Sequence, residues 1–177
     1  MQGKTTAQLR GSWHNFSKYR PLIRELVTRD LKVKYRRSFL GYVWSILNPL
    51  LMMLLQTLVF SYMFRFQIEN FPLYLICGNT LFNFFNESTN MGMGSVLGNS
   101  SLIKKVYVPK FIFPISRVVS SFVNLLFSLA AIILVMLITR SPFHLTILLV
   151  WAPLALLFLF TCGMALLLSA LAVYFRD

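Results

Sequence analysis

Long apolar runs alternate with short basic segments along most of the chain after residue 40. Residues 41–64 contain no charged side chain, and a helix of that length crosses about 30 Å of hydrocarbon. Similar reasoning predicts further spans over residues 72–94, 115–138 and 153–175. The uncharged run 145–175 is too long for one crossing, so we expect Pro153 to mark the start of the fourth span. The pattern therefore predicts an all-α polytopic membrane protein with about four transmembrane helices.

A different pattern precedes the first span. Residues 1–20 are polar, and we interpret them as a mobile cytosolic tail. Over residues 22–37, apolar side chains recur at three- and four-residue steps and charged side chains fill much of the other side, which indicates an amphipathic helix. Because this helix is too charged to span, we favour a position in the headgroup plane, as an N-terminal interface helix. The alternative is a surface helix packed on a soluble domain.

Composition supports the membrane assignment, and charge sets the orientation. The chain is 57% hydrophobic and 12% charged, against about 45–50% and about 25% in soluble domains, which excludes an ordinary cytosolic enzyme and a disordered chain. Its net charge of +12 could indicate nucleic-acid binding, but most of its 17 Lys and Arg lie in residues 1–40 and 94–117, beside the apolar runs. Because basic loops stay on the cytosolic side of membranes, we place the N-terminus in the cytoplasm.

The second predicted span carries a polar stripe. Asparagines recur there at steps of four, three and four residues, so they share one helix face, and Glu87 lies beside them. In hydrocarbon these amides need hydrogen-bond partners or water. Two interpretations stay open, interhelical hydrogen bonds and the wall of a water-filled path, and both can hold. Gln56 lies on a mixed face of the first span that we also expect to meet protein or water. The stripe consists of Asn79, Asn83, Asn86 and Asn90.

A short helix is predicted in the cytosolic loop between the second and third spans. Asn99 or Ser100 can cap its start, and Pro109 disfavours helix at Val108, so the helix should occupy residues 100–108. A helix this short needs a surface to pack on. The residues alone leave open whether that surface is the anionic leaflet or a separate cytosolic protein. Its apolar side is formed by Leu102, Ile103, Val106 and Tyr107, and its basic residues are Lys104 and Lys105.

Three segments, taken in order, resemble the membrane subunits of polysaccharide-exporting ABC transporters, the permeases for O-antigen, capsule and teichoic-acid chains. The first segment runs from Arg24 to Trp44, contains RDLKVKYRRSFLGYVW, and is followed by Asn48 and Pro49. The second segment, LIKKVYVP at residues 102–109, is similar to the first cytosolic loop of those proteins. The third, YFRD at residues 174–177, is similar to the end of their fourth span. The resemblance covers about residues 22–177.

The resemblance implies a role for each segment. Residues 102–108 would be a coupling helix that sits in a groove of a separate ATP-binding subunit, and that subunit would bind ATP and Mg. Two copies of the chain would enclose the path of a lipid-linked polysaccharide through the bacterial inner membrane. Aromatic side chains could stack on sugar faces in this path, although packing is the commoner role of aromatics in spans. The tentative aromatic path residues are Tyr42, Trp44, Phe82 and Phe85. Family members usually have six spans, so we expect this chain to be a fragment that ends after the fourth.

The sequence offers no motif for catalysis by the chain itself. It contains no P-loop for ATP, its two cysteines and two histidines are isolated, and no paired carboxylates or nucleophile constellation occur. We therefore expect a transport subunit that is not an enzyme, holds no cofactor of its own and has no nucleic-acid partner. Three alternatives remain: a small oligomeric channel that uses the asparagine face, an exporter of another lipid-like or drug substrate, and a membrane scaffold.

Overall fold

The described part of the chain is helical throughout. The computed structural model describes residues 19–34, 40–64, 70–105, 108–139 and 149–175. No strand occurs among these residues, which confirms the predicted all-α class. The helices are α1 (19–34), α2 (Leu40–Phe64), α3 (Phe71–Met93), α4 (Ser95–Gly98), α5 (Ser100–Lys105), α6 (Ile112–Ile138) and α7 (Trp151–Tyr174).

Three of the described helices, α2, α6 and α7, are long and apolar enough to cross a membrane. The chain is therefore an integral membrane protein. Helix α3 has 23 residues, which is the length of a span, but its asparagines and Glu87 make it less apolar than the other three. That α3 crosses the bilayer remains a prediction.

Helix α3 lies at the centre of the bundle, because it packs against α2, α6 and α7. Its contact with α2 and α6 buries Ile76 against Ala131 and Val135. Its contact with α6 and α7 buries Phe84 in a second cluster with Val118, Leu125, Leu154 and Ala165. The most polar of the long helices therefore contacts the three most apolar ones along part of its surface.

Prolines lie near the helix starts. Pro72, Pro114 and Pro153 all lie in the first turn of their helices, where the missing N–H removes no intrahelical hydrogen bond. Pro114 is tolerated there, so α6 begins at Ile112, three residues before the predicted third span. Pro49 lies inside α2 without ending it.

The amphipathic helix α1 begins at residue 19 and is described to residue 34, so residues 35–37 and most of the predicted tail lie outside the described residues. Its apolar face is covered by protein: Ile23, Leu26 and Val27 are buried together with Ile112 and Phe113 at the start of α6. The surface-helix alternative shares this packing, with the membrane bundle in place of a soluble domain, and the position of α1 in the headgroup plane stays a prediction. The periodicity identified the apolar face of α1 but could not show what covers it.

Candidate coupling site and polar face of α3

The start of α5 is fixed by Asn99, although not by the side-chain cap that the sequence suggested. The carbonyl oxygen of Asn99 accepts hydrogen bonds from the N–H groups of Leu102 and Ile103 at 3.0 and 3.1 Å. The side chain is buried, with Nδ2 donating to the carbonyl of Ser95 at 2.8 Å. Its Oδ1 accepts two hydrogen bonds from the Arg29 guanidinium, both at 3.3 Å. Asn99 thereby joins the start of α5 to α4 and to α1.

Helix α5 is described as far as Lys105. Val108, the last residue of the predicted helix, is not helical, so α5 is shorter than predicted. This end is expected because Val108 precedes proline. Two of the predicted site residues, Val106 and Tyr107, lie outside the described residues.

The apolar side of α5 faces its own chain. Leu102 and Ile103 are half-buried and pack against the cluster formed by α1 and the start of α6. This surface, formed by α1 and the start of α6, is one that the sequence did not suggest, while contact of α5 with the leaflet or with a separate protein stays a prediction. The outward side of α5 is polar and basic and consists of Ser100, Ser101, Lys104 and Lys105.

A charged cluster lies beneath α5, between α1 and α6. The Asp30 carboxylate, with only 6% of its side chain exposed, lies 3.3 Å from Nη2 of Arg29 and 3.0 Å from Nη1 of Arg117. Arg29 donates hydrogen bonds to Oδ1, whereas Oδ2 accepts none from the part of the chain that the structure describes. The cluster borders a cavity of about 390 Å³ that Asn99, Ser120 and Asn124 also line.

A second ion pair connects α1 to α3. Nζ of Lys34 lies 2.6 Å from Oε1 of Glu87, and Asn124 of α6 donates to the same oxygen at 3.2 Å. Both charged side chains are partly exposed. Glu87 therefore sits where α1, α3 and α6 meet, which agrees with its predicted place beside the polar stripe.

The asparagine stripe of α3 divides into two parts. At one end, Asn79 donates a hydrogen bond from Nδ2 to Oε1 of Gln56 on α2, so this amide joins two helices. The other three asparagines, Asn83, Asn86 and Asn90, are exposed, and Asn90 donates to the carbonyl and side-chain oxygens of Asn86 at 2.8 Å. The interhelical interpretation describes Asn79, whereas the remaining stripe is an exposed polar surface of α3.

The aromatic candidates occupy different environments. Phe82 and Trp44 are exposed, at 64% and 53%, and the side chain of Tyr42 lies outside the described residues. Phe85 is stacked on Phe160 of α7, with ring centroids 5.7 Å apart. Phe82 and Phe85 both line an apolar cleft of about 510 Å³ between α3 and α7. Phe85 thus has the packing role that the sequence analysis weighed against sugar stacking.

Sequence reasoning missed the partners in these contacts, above all Asp30 and Asn124. A signal for Asp30 was present, because Arg117 begins an apolar segment and needs a counter-charge. With 5 Asp and Glu in the chain, the choice of partner was small. No comparable signal marked Asn124, since its role depends on how α6 is rotated toward α3.

Comparison with known proteins decides which family this arrangement represents. Residues 21–177, which include α2 through α7 and all but the first two residues of α1, match the family described as ABC-2 type transporter. The chain belongs to the ABC-2 type transporter family. This membership confirms the resemblance that the three sequence motifs indicated.

Individual relatives show which ABC-2 type proteins this chain is similar to. The O-antigen export system permease protein RfbA of Myxococcus xanthus is 35% identical over 161 residues, which cover 90% of this chain and 61% of that protein. RfbA of Klebsiella pneumoniae is 32% identical over 155 residues, covering 86% and 59%. The polysialic acid transport protein KpsM of Escherichia coli is 26% identical over 165 residues, covering 88% and 61%. The chain therefore spans about three-fifths of the length of the curated relatives it matches.

Proposed function

We propose that the chain is the membrane part of a permease subunit that exports lipid-linked polysaccharide across the bacterial inner membrane. The glycan belongs to the O-antigen, capsule or teichoic-acid class, and the N-terminus lies in the cytoplasm. The observation that carries the proposal is the family match, which covers every described helix, including the short helix α5 between two long ones. The names of the relatives, which are O-antigen and polysialic acid exporters, supply the substrate class.

The partner that drives transport is a separate subunit that binds ATP and Mg, and it contacts this chain through α5. Because Leu102 and Ile103 face α1, the part of α5 left for a partner is its outward side, which presents Lys104 and Lys105. A basic surface of this kind fits a groove with acidic side chains. Val106 and Tyr107 stay in the proposal as residues of the same segment.

The path for the polysaccharide follows the exposed polar surface of α3. Hydrocarbon is an unfavourable surrounding for the exposed Asn83, Asn86 and Asn90. An amide group that lacks a hydrogen-bond partner there raises the free energy by several kcal/mol. Water and glycan hydroxyls would satisfy them, and a second copy of the chain would close the path on its other side. Exposed Phe82 and Trp44 are the aromatic side chains that could stack on sugars there.

The test of the partner surface uses the full-length permease co-expressed with its ATP-binding subunit. We compare Lys104→Glu/Lys105→Glu with Lys32→Glu/Lys110→Glu, which changes the total charge equally at exposed cytosolic positions outside α5. The α5 variant should lose capture of the ATP-binding subunit and export of the glycan, and the control should keep both. Equal capture by the two variants would remove the assignment of α5 as the partner surface.

The channel alternative has no support from the comparisons, but it can be tested in the same preparation. Purified permease without its partner is reconstituted into vesicles, and ion flux is measured in the absence of ATP. The exporter proposal expects no flux above that of empty vesicles. Steady flux that falls when Asn83 and Asn86 are replaced by Leu would instead support the channel.

A further inference from the structure

A push on α5 can move the bundle only if α5 is firmly connected to it. With six residues described as helical, α5 has little stability of its own. Its apolar side packs on the cluster formed by Ile23, Leu26 and Val27 of α1 with Ile112 and Phe113 at the start of α6. The question is therefore what fixes α5, α1 and α6 relative to one another.

Apolar packing alone would let α1 slide, because dispersion and burial have no strong directional preference. The polar contacts run through four residues, Arg29, Asp30, Asn99 and Arg117. Arg29 on α1 donates to Asn99 at the start of α5, at 3.3 Å, and to Asp30 at 3.3 Å. Asp30 in turn lies 3.0 Å from Arg117 on α6. A continuous polar connection thus runs from α5 through α1 to the inner part of α6.

Asp30 is the residue on which this connection depends. Its side chain is 6% exposed and lies between two guanidinium groups, so it is the counter-charge for both. Without its negative charge, the partly exposed guanidinium groups of Arg29 and Arg117 would be neighbouring like charges, which disfavours the close approach of α1 and α6. The Asp30–Arg117 ion pair, at 3.0 Å, adds electrostatic attraction between α1 and α6 to the apolar packing at the start of α6.

We propose that Asp30 is a positioning residue for energy coupling: it holds α1, the start of α5 and the inner part of α6 together as one moving unit. A displacement delivered to the outward side of α5 then reaches α6 instead of tilting α5 alone. This inference rests on the proposed function, since it needs an ATP-driven partner that acts on α5.

The experiment uses the full-length permease and its ATP-binding subunit, reconstituted together, and measures glycan exported per ATP hydrolysed. Asp30→Asn should assemble and hydrolyse ATP near the normal rate, while export per ATP falls by about tenfold, a coupling loss of the size seen along physical networks. Asp30→Glu, which keeps the charge, should retain most of the coupling. Glu25→Gln is the matched control, since it removes one exposed carboxylate from the same helix.

The double variant Asp30→Asn/Arg117→Met distinguishes a role of Asp30 in coupling from a merely structural role. If Asp30 only neutralises Arg117, removing both charges restores stability and export together. If Asp30 connects the helices, the double variant regains stability but its export per ATP stays low. Restored coupling in the double variant, or normal coupling in Asp30→Asn, would overturn the proposal. Should Asp30→Asn not assemble, the double variant decides the question alone.

If the proposed function itself were wrong, the experiment would give a different result. In that case the wild-type permease would neither capture an ATP-binding subunit nor export glycan with ATP. Failure of the Asp30 inference would leave the wild-type protein active and would appear only as unchanged coupling in the variants.

Discussion

Gly92 of α3 and Ala165 of α7 meet where these two helices cross. A Cβ atom on Gly92 would lie 2.7 Å from the Cβ of Ala165, closer than such atoms come in proteins, and 3.3 Å from its Cα, which is a tight contact. Thr161 and Ser169, one turn to either side of Ala165, are also buried. The backbones of α3 and α7 can approach this closely because the side chains between them are small.

We expect Gly92→Ala to lower the free energy of unfolding by about 1–3 kcal/mol, because the added methyl group overpacks this crossing. The measurement is the thermal unfolding midpoint of the purified protein in detergent. Gly163→Ala is the control, since a Cβ at Gly163 meets nothing within 4 Å. Adding Ala165→Gly to Gly92→Ala should recover part of the loss. Equal midpoints for the two single glycine variants would contradict the close crossing.

The small-residue face of α7 and the asparagine stripe of α3 show what periodicity can and cannot predict. Thr161, Ala165 and Ser169 recur at four-residue spacing, which is typical of close helix contact, and all three are buried, but nothing in α7 pointed to Gly92. The spacing of Asn79 and Asn83 placed both on one face, yet one reaches Gln56 and the other is exposed. Periodicity gives the angle of a side chain about its helix axis, whereas the neighbour at that angle depends on tertiary packing.

The short helix α5 also shows that local sequence patterns predict an element but not its neighbours. Its position between two spans, its basic residues and its end before Pro109 were predicted from composition and backbone chemistry. Its docking on α1 was not, because Leu102 lies about 75 positions from Leu26 in the sequence and no local pattern joins them. The all-α class was predictable for the opposite reason, since it follows from local hydropathy alone.

The two parts of the asparagine stripe should respond differently to Asn→Leu. Asn79→Leu removes an interhelical hydrogen bond to Gln56 and should lower stability by about 0.6 kcal/mol, and by no more than about 1.7 kcal/mol. Asn83→Leu removes an exposed amide, so stability should stay the same while glycan export falls. Thermal unfolding in detergent and export in reconstituted vesicles measure the two effects. Loss of stability in Asn83→Leu would show that its amide has a structural partner in the assembled protein.

The Lys34–Glu87 ion pair should contribute under about 1 kcal/mol, because both side chains are partly exposed and the surrounding ions screen them. Glu87→Gln keeps an oxygen that can accept from Asn124, so it isolates the ion pair, and Glu87→Ala removes both contacts. We expect a small decrease in the thermal unfolding midpoint for Glu87→Gln and a larger decrease for Glu87→Ala. The Gln effect should shrink at high salt. A Gln effect of several kcal/mol, or one that salt does not change, would contradict this account.

Docking of α5 on α1 predicts that Ile103→Asp exposes α1 to protease. Ile103 is half-buried against the cluster of Ile23, Leu26 and Val27, so a carboxylate there must either leave the cluster or stay unpaired in it. Local opening should increase, and trypsin cleavage at Arg24 in detergent-solubilised protein should become faster by about tenfold, equivalent to about 1.4 kcal/mol. Ser101→Asp adds the same charge to the exposed side of α5 and should leave the cleavage rate unchanged. If both variants were cleaved at the wild-type rate, α5 would not be holding α1 in place, and the half-buried position of Ile103 would have no energetic consequence.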